Sequence, residues 1–205
     1  MKKGMTVTYE VGNGLYVNVT NRCSNRCSFC IRNNGDGAYG SLSLWLLREP
    51  TVEEIIESIT QRDLSKYEEI VFCGYGEPSY RLDDIVKVAR TIKAGYDIPI
   101  RINTNGHSDL IHGRNTAEDY RGAFDVVSIS LNTPNPEKYV ETCHPVFKER
   151  AHSALIEFAK NVKNCVPKVV FSVVRETLSS EELSECERIA RDAGVALRVR
   201  DYISG

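Results

Sequence analysis

Short runs of apolar, β-branched residues alternate with helical patterns along almost the whole chain, and this alternation limits the folds available to it. Six runs are typical of strands: Leu15–Thr20, Glu69–Cys73, Ile98–Asn103, Asp125–Leu131, Lys168–Val174 and Ala196–Arg200. Most of them are apolar throughout, as expected of parallel strands that are covered on at least one face. Regular alternation of strand and helix implies right-handed βαβ crossovers and a parallel sheet.

Four longer segments between these runs carry the apolar periodicity of amphipathic helices. Thr51 and Glu54 have the spacing of a capping box at the start of the first. The other three are predicted to begin near Leu82, near Ala151 and at Ser179 or Ser180, and shorter helices are predicted around Thr116–Tyr120 and Glu137–Thr142.

The number of strands and the chain length together predict the architecture. A complete eight-stranded barrel typically needs about 250 residues, whereas this chain has 205. We therefore predict an α/β fold, a partial (β/α)6 TIM-like barrel with parallel strands that is laterally open, with its site at the carboxyl ends of the strands. Residues 1–205 are expected to form a single domain. The irregular segment Arg32–Pro50, which contains the only tryptophan, is expected to cover the site.

Charge and hydropathy exclude several classes of function. Lys and Arg number 26 against 28 Asp and Glu, so no basic surplus suggests a nucleic-acid partner. No stretch approaches the roughly 20 apolar residues of a membrane span, and the basic N-terminus lacks the apolar run of a secretory signal. A cytoplasmic protein is expected. Thiols stay reduced there, so seven cysteines indicate metal or redox chemistry before disulfides.

Three cysteines, Cys23, Cys27 and Cys30, follow the first predicted strand with three and two residues between them. Three thiolates can hold one metal centre, but they leave a four-iron cluster one ligand short. An iron with an open site can chelate the amino and carboxylate groups of S-adenosyl-L-methionine (SAM), which brings its sulfonium within reach of an electron. Catalytic metal sites keep such an open position, whereas structural sites are closed.

Other interpretations of the three cysteines stay open on spacing alone. The spacing can arise by chance, or the residues can be core or regulatory thiols. A structural zinc site is another interpretation, and its fourth ligand would be His107, His112, Cys143 or His144. Zinc sites usually combine two CxxC-like halves, however, and this chain contains no second half.

The CxxxCxxC spacing, with the aromatic Phe29 just before the third cysteine, resembles the signature of the radical SAM superfamily. In that family the three cysteines hold a [4Fe–4S] cluster and the aromatic residue lies near the adenine of SAM. The resemblance therefore implies that Cys23, Cys27 and Cys30 are cluster ligands and that the cofactors are a [4Fe–4S] cluster and S-adenosyl-L-methionine. It also implies an electron donor of the flavodoxin or ferredoxin type.

Segments at the ends of the later strands extend the resemblance across nearly the whole chain. Cys73–Pro78 is similar to the family's Gly-Gly-Glu-Pro turn, and Asn103–Gly106 is similar to its Thr-Asn-Gly turn. Their order matters, because each segment follows a successive predicted strand. The resemblance implies SAM contacts from Gly74, Tyr75, Gly76, Glu77, Asn103, Asn105, Ser130, Asn132, Ser172, Arg175 and, through its backbone, Val199.

Within the superfamily, the stretches around the cysteines and the glycine turn resemble the small radical SAM proteins associated with TatD-type nucleases. The activity implied is reductive cleavage of SAM to a 5′-deoxyadenosyl radical, which abstracts hydrogen from an unidentified small molecule or partner protein. No second cysteine-rich region follows, so an auxiliary-cluster domain is not expected. The substrate-side candidates are His107, His112, Arg114 and Tyr202, and the cysteines expected to pack in the interior are Cys73, Cys143, Cys165 and Cys186.

Two alternatives remain beside this activity. One is an activase that generates a radical on a partner protein, since short members of the family include such enzymes. The other is a zinc-stabilised α/β binding module without catalysis.

Overall fold

The computed structural model describes residues 3–201 and contains a seven-stranded sheet with helices packed against it. The strands are β1 (Thr8–Val11), β2 (Gly14–Val17), β3 (Glu69–Phe72), β4 (Ile100–Thr104), β5 (Val126–Ser130), β6 (Lys168–Val174) and β7 (Ala196–Arg200). The helices are α1 (Val52–Thr60), α2 (Leu82–Gly95), α3 (Ser108–His112), α4 (Pro136–Cys143), α5 (Arg150–Val162) and α6 (Ser180–Ala193).

The strands lie in the sheet in the same order as in the sequence. From β2 to β7 every neighbouring pair is parallel, with Leu15 opposite Ile70 and Ile129 opposite Phe171. Strands β1 and β7 stand at the two edges, so the sheet does not close into a barrel. The predicted laterally open α/β architecture is confirmed.

The prediction of six parallel strands missed β1, which pairs antiparallel with β2. A two-residue turn joins the two strands, and Gly12 has a φ of +55°, which favours glycine. Strand β1 has only four residues and its last two are not buried, so it lacks the apolar run by which the other strands were found. The sequence signal for this hairpin is the Gly-Asn pair between two short β-type runs.

The helices follow their predicted signals closely. Thr51 accepts a hydrogen bond from the Glu54 amide and completes a capping box at α1, and Ser179 forms the same motif at α6. The predicted helix around Thr116–Tyr120 is a 3₁₀ turn over Ala117–Tyr120, and helix α3 was not predicted. No helix among residues 3–201 combines the length and apolar character that crossing a membrane requires.

Side chains alternate between the two faces of the sheet, and this alternation places the site. One face packs against the helices in the main core, through residues such as Val17, Ile102 and Phe171. The opposite face becomes polar toward the strand ends and lines a cavity with Arg101, Asn103, Ser128, Ser130, Ser172, Arg198 and Arg200.

The segment Arg32–Pro50 packs beside this cavity. Ala38 and Leu44 form a small second core with Tyr9 and Tyr75, and the Trp45 ring lies 5.1 Å from the Tyr75 ring. The segment lines an adjoining cavity through Ala38, Tyr39 and Leu44, and its role as a cover for the site stays a prediction.

Candidate active site

The three cysteines of the CxxxCxxC segment line one cavity of about 230 Å³ at the carboxyl ends of the parallel strands. The cavity includes side chains from the cysteine segment, the turn after β3 and strands β4 to β7. Its lining residues are Cys23, Asn25, Cys27, Phe29, Cys30, Ile31, Cys73, Gly74, Gly76, Glu77, Arg101, Asn103, Thr104, Asn105, Ser128, Ser130, Asn132, Ser172, Arg198 and Arg200.

A buried hydrogen-bond network contacts the cysteine segment, Cys23–Cys30, at Ser24 and Asn25. Asn105 donates from Nδ2 to Ser24 Oγ at 2.8 Å, and Ser24 Oγ lies 3.0 Å from His107 Nδ1. The other ring nitrogen of His107 lies 3.3 Å from the Tyr139 hydroxyl, which also accepts from Asn25 Nδ2 at 3.0 Å. Because these partners come from the turn after β4 and from α4, the network fixes the cysteine segment to two other parts of the fold.

His107 is neutral in this network, because burial lowers its pKa to about 4. Between about pH 6.5 and pH 4 the unfolded chain binds a proton at this residue and the folded chain does not, so stability is present above pH 6.5 and falls as the pH decreases. We expect the free energy of unfolding to fall by on the order of 3 kcal/mol across this window. The variant His107→Gln should lack this part of the pH dependence. Urea unfolding of the metal-free protein at several pH values measures it. The exposed His144 supplies the control His144→Asn, and an unchanged pH dependence in His107→Gln would contradict the assignment.

Glu77 joins the turn after β3 to the end of β4. Its carboxylate accepts hydrogen bonds from Thr104 Oγ1 at 2.7 Å, from the Asn105 amide at 2.7 Å and from the Ser79 amide at 3.0 Å. The residue is only 3% exposed, and burial raises the pKa of its carboxyl while these donors oppose the shift. The structure therefore supports bracing of the turn as the role of Glu77.

Replacing Glu77 by Gln is expected to lower the free energy of unfolding by about 1–3 kcal/mol. The NH₂ group of the glutamine amide would face the O–H and N–H donors that now bind the carboxylate oxygens. Urea denaturation measures the change, and Glu187→Gln on the exposed side of α6 is the matched control. Equal stability of the two variants would contradict the bracing role.

The two glycines of the turn after β3 allow it to lie directly against the cysteine segment. A Cβ on Gly74 would lie 2.1 Å from Asn18 Oδ1, and a Cβ on Gly76 would lie 2.3 Å from the Thr20 carbonyl oxygen. The neighbouring Glu77 amide donates to the Arg22 carbonyl at 2.7 Å. Gly76 is therefore required by the close approach of two backbones, and Gly74 by the buried side chain of Asn18.

The cysteine thiols lie in surroundings that disfavour an isolated thiolate. Burial raises the pKa of Cys23 to about 11. The pKa of Cys27 is also raised, first by its hydrogen bond with Cys143 and then by burial, and the same bond lowers the pKa of Cys143. Thiolate formation at Cys23 and Cys27 therefore needs a compensating cation, as when a metal centre binds. Cys23 Sγ accepts from the Asn25 amide at 3.4 Å, a contact of the kind that tunes iron–sulfur centres.

The sequence matches a family whose chemistry uses this arrangement. The family model described as the Radical SAM superfamily matches residues 17–190, which is most of the chain and includes all three cysteines. The chain belongs to the radical SAM superfamily. It is accordingly an enzyme of a superfamily whose members use a [4Fe–4S] cluster and SAM.

Two curated proteins are similar to this chain in sequence. A probable GTP 3′,8-cyclase of Methanothermobacter thermautotrophicus is 26% identical over 189 residues, which cover 92% of this chain and 57% of that protein. A 5-amino-6-(D-ribitylamino)uracil–L-tyrosine 4-hydroxyphenyl transferase of Methanosarcina barkeri is 32% identical over 93 residues, which cover 45% of this chain and 22% of that enzyme. The chain thus spans little more than half the length of the first relative and less than a quarter of the second.

Solved radical SAM structures share the fold at low sequence identity. The SuiB protein of Streptococcus suis bound to its precursor peptide SuiA has a TM-score of 0.66 and 16% identity, covering 93% of this chain and 39% of that one. A radical SAM methyltransferase of Sphaerobacter thermophilus has a TM-score of 0.61 and 17% identity, covering 95% of this chain and 68% of that one.

The donor set fits the [4Fe–4S] cluster of the superfamily. Three cysteine sulfurs line one cavity, and cluster irons are held by thiolates. Within residues 3–201, no three Cys, His, Asp or Glu side chains lie close enough together to hold a single metal ion. Three thiols that line one cavity fit the thiolate ligands of a [4Fe–4S] cluster.

Most residues assigned to SAM by resemblance lie together in the cavity: Phe29, Gly74, Gly76, Glu77, Asn103, Asn105, Ser130, Asn132 and Ser172. Three others do not line it. The Tyr75 side chain packs in the second core, and Arg175 is exposed beside Asp201, with the charged groups 3.7 Å apart. The Val199 side chain packs against the main core, so only its backbone remains available for adenine.

The substrate-side candidates do not line the cavity within the described residues. His107 is fully buried in the network described above, and His112 Nε2 lies 2.8 Å from the Ser79 carbonyl oxygen. Arg114 pairs with Asp119 at 2.7 Å on the surface. Tyr202 lies outside the described residues. A position near a strand end therefore does not by itself place a side chain in the cavity. The side chains of His107, His112 and Arg114 contact neighbouring protein groups instead.

Several residues that line the cavity were not among the predicted site residues, including Arg101, Ser128, Arg198 and Arg200. Each lies two positions from another polar residue on the same strand, so the two side chains are on the same face of the sheet. This spacing of polar residues indicates a polar face within a strand. Cys73, which was expected to pack in the interior, also lines the cavity. Cys143, Cys165 and Cys186 are buried as predicted.

Proposed function

We propose that this enzyme reductively cleaves SAM at a [4Fe–4S] cluster held by Cys23, Cys27 and Cys30, and that it uses the 5′-deoxyadenosyl radical to abstract hydrogen from a substrate in the same cavity. The observation that carries the proposal is the shared cavity itself. The three cysteines, the glycine turn and the polar ends of strands β4 to β7 all line it.

The bound cofactors supply the electron and the sulfonium whose cleavage yields methionine and the radical. The chain's own residues bind and orient them. The turn at Gly74 and Gly76 offers backbone carbonyls to the amino group of SAM, and Glu77 keeps that turn in place through its three hydrogen bonds. Phe29 lies where it can contact the adenine.

Polar side chains on the cavity face of the sheet complete the SAM site in this proposal. Asn103 on β4, Ser130 on β5 and Ser172 on β6 occupy neighbouring strands and can bind the ribose hydroxyls and the carboxylate. The segment Arg32–Pro50 shields the cavity from bulk water, which protects a reactive radical from side reactions.

Superfamily members act on small-molecule or peptide substrates and receive electrons from a reductant. We propose a flavodoxin- or ferredoxin-type donor for this chain, a cytoplasmic location and a single radical SAM core domain over residues 1–205. The resemblance to the small TatD-associated proteins and the activase alternative stay predictions. The zinc-stabilised module is not retained, because the chain belongs to an enzyme superfamily with a [4Fe–4S] cluster.

The test of this function is an anaerobic assay of the reconstituted protein with SAM and dithionite. The proposal expects about four irons per chain and formation of 5′-deoxyadenosine and methionine in equal amounts. Tight zinc binding without iron, or a four-iron protein that leaves SAM intact, would contradict it.

A further inference from the structure

Three arginines face the cavity, and they differ in what they bind within the protein. Arg101 has its partners already: its guanidinium pairs with Glu69 at 2.5 Å and donates to Asn103 Oδ1 at 2.6 Å. Its charge is therefore neutralised inside the fold.

Arg198 and Arg200 differ from Arg101 in this respect. Within residues 3–201 neither guanidinium makes an ion pair or a hydrogen bond, although both side chains line the cavity. Arg200 Nε is in addition buried from solvent without a hydrogen-bond acceptor in this part of the chain. A buried N–H group without an acceptor costs free energy, and a ligand oxygen placed there would remove that cost.

The two arginines reach the cavity from a different edge of the sheet than the cysteine segment does. They lie on β7, the edge strand, where Arg198 is opposite Ser172 and Arg200 is opposite Val174 on β6. The cysteine segment follows β2, near the other edge. Side chains two residues apart on one strand share a face, so the two guanidinium groups project into the same space.

A second cavity, of about 180 Å³, adjoins the first and shares Arg200 with it. Phe29, Cys30, Ile31, Cys73 and Gly74 also line both cavities, which places the second one directly beside the cluster cysteines. Its other walls are mainly aromatic and aliphatic: Tyr9, Ala38, Tyr39, Leu44, Tyr75 and Val174, with Asp201 at its edge. This cavity suits the apolar body of a small molecule.

We propose that Arg198 and Arg200 bind an anionic group, a carboxylate or a phosphate, of a small-molecule substrate whose apolar body occupies the adjoining aromatic cavity. Two guanidinium groups match the planar oxygens of a carboxylate or the tetrahedral oxygens of a phosphate. The inference rests on the proposed function, because hydrogen abstraction requires the substrate to lie beside the SAM site.

The anionic group belongs to the substrate and not to SAM. In the proposed complex the carboxylate of SAM chelates the open iron beside the cysteines, so its charge already has a partner. The ligand is also small, because the second cavity has a volume of only about 180 Å³.

Calorimetric titration of the anaerobic, reconstituted enzyme with inorganic phosphate and with acetate tests the proposal, with and without SAM. We expect one saturable site for at least one of these anions, and at least tenfold weaker binding in both Arg200→Gln and Arg198→Gln. Arg200→Lys, which keeps the charge but loses the planar fork, should bind with intermediate affinity. The control is Arg188→Gln on α6, whose guanidinium pairs with Glu185 and Asp192 and should leave anion binding unchanged.

Three results would overturn the proposal: no saturable anion binding by the wild type, wild-type binding in both glutamine variants, or an equal loss of SAM affinity in those variants. The last result would assign the arginines to the carboxylate of SAM. Formation of 5′-deoxyadenosine without substrate is measured on the same preparations. If the anion binds but SAM is not cleaved, the proposed function fails separately, whereas normal SAM cleavage without anion binding refutes only the substrate class.

Discussion

Replacing Cys27 by Ala is expected to abolish both the cluster and all SAM cleavage. Three thiolates hold the cluster in the proposed site, and loss of one leaves a second iron without a protein ligand. We expect iron content after reconstitution to fall from about four per chain toward zero and 5′-deoxyadenosine to fall below detection. The same result is expected for Cys23→Ala and Cys30→Ala.

The other cysteines supply the controls for this experiment. Cys186 is buried on α6 in the main core, so Cys186→Ala should keep both the cluster and SAM cleavage. Cys143→Ala is more informative, because Cys143 is hydrogen-bonded to Cys27 but does not line the cavity. It should also retain four irons, whereas loss of the cluster in Cys143→Ala would indicate that this thiol is a ligand.

Replacing Gly76 by Ala is expected to have the second largest effect. The added Cβ would lie 2.3 Å from the Thr20 carbonyl oxygen and 2.6 Å from that of Arg22, and both atoms belong to backbone that cannot move aside independently. The turn and the cysteine segment must separate, which we expect to cost about 3 kcal/mol of folding free energy and to weaken SAM binding at least tenfold. Urea denaturation and equilibrium SAM binding measure the two effects.

Gly95→Ala is the matched control for this prediction. Gly95 ends α2, its added Cβ would contact nothing within 4 Å, and the residue is exposed. Gly95→Ala should therefore change the free energy of unfolding by no more than about 1 kcal/mol. It should leave SAM binding unchanged. Equal stability and SAM affinity in the two alanine variants would show that the close approach at Gly76 is not needed.

Most of the parallel strands were predictable because they are buried apolar runs, although β7 is partly exposed. Lys168–Val174 and Ala196–Arg200 have the predicted bounds, and the capping boxes mark the starts of α1 and α6. Strand β1 was not predictable in this way, because an edge strand that is partly exposed needs no apolar run.

The cluster ligands were accessible from the sequence because three cysteines lie within eight residues and act together. The role of His107 was not, since its partners Ser24 and Tyr139 lie 83 and 32 residues away along the chain. Because of these two contacts, His107 holds the cysteine segment in place, although its position near a strand end had suggested a contact with substrate. Arg198 and Arg200 were not predicted as site residues because the resemblance assigned only backbone contacts to this strand.

In the proposed site one iron of the cluster has no protein ligand and binds the methionine part of SAM. Electron–nuclear double resonance of the reduced protein, with SAM carrying ¹⁵N in the amino group and ¹⁷O in the carboxylate, measures this binding. We expect both labels to couple to the cluster. A cluster that shows neither coupling and carries a fourth protein ligand would contradict it.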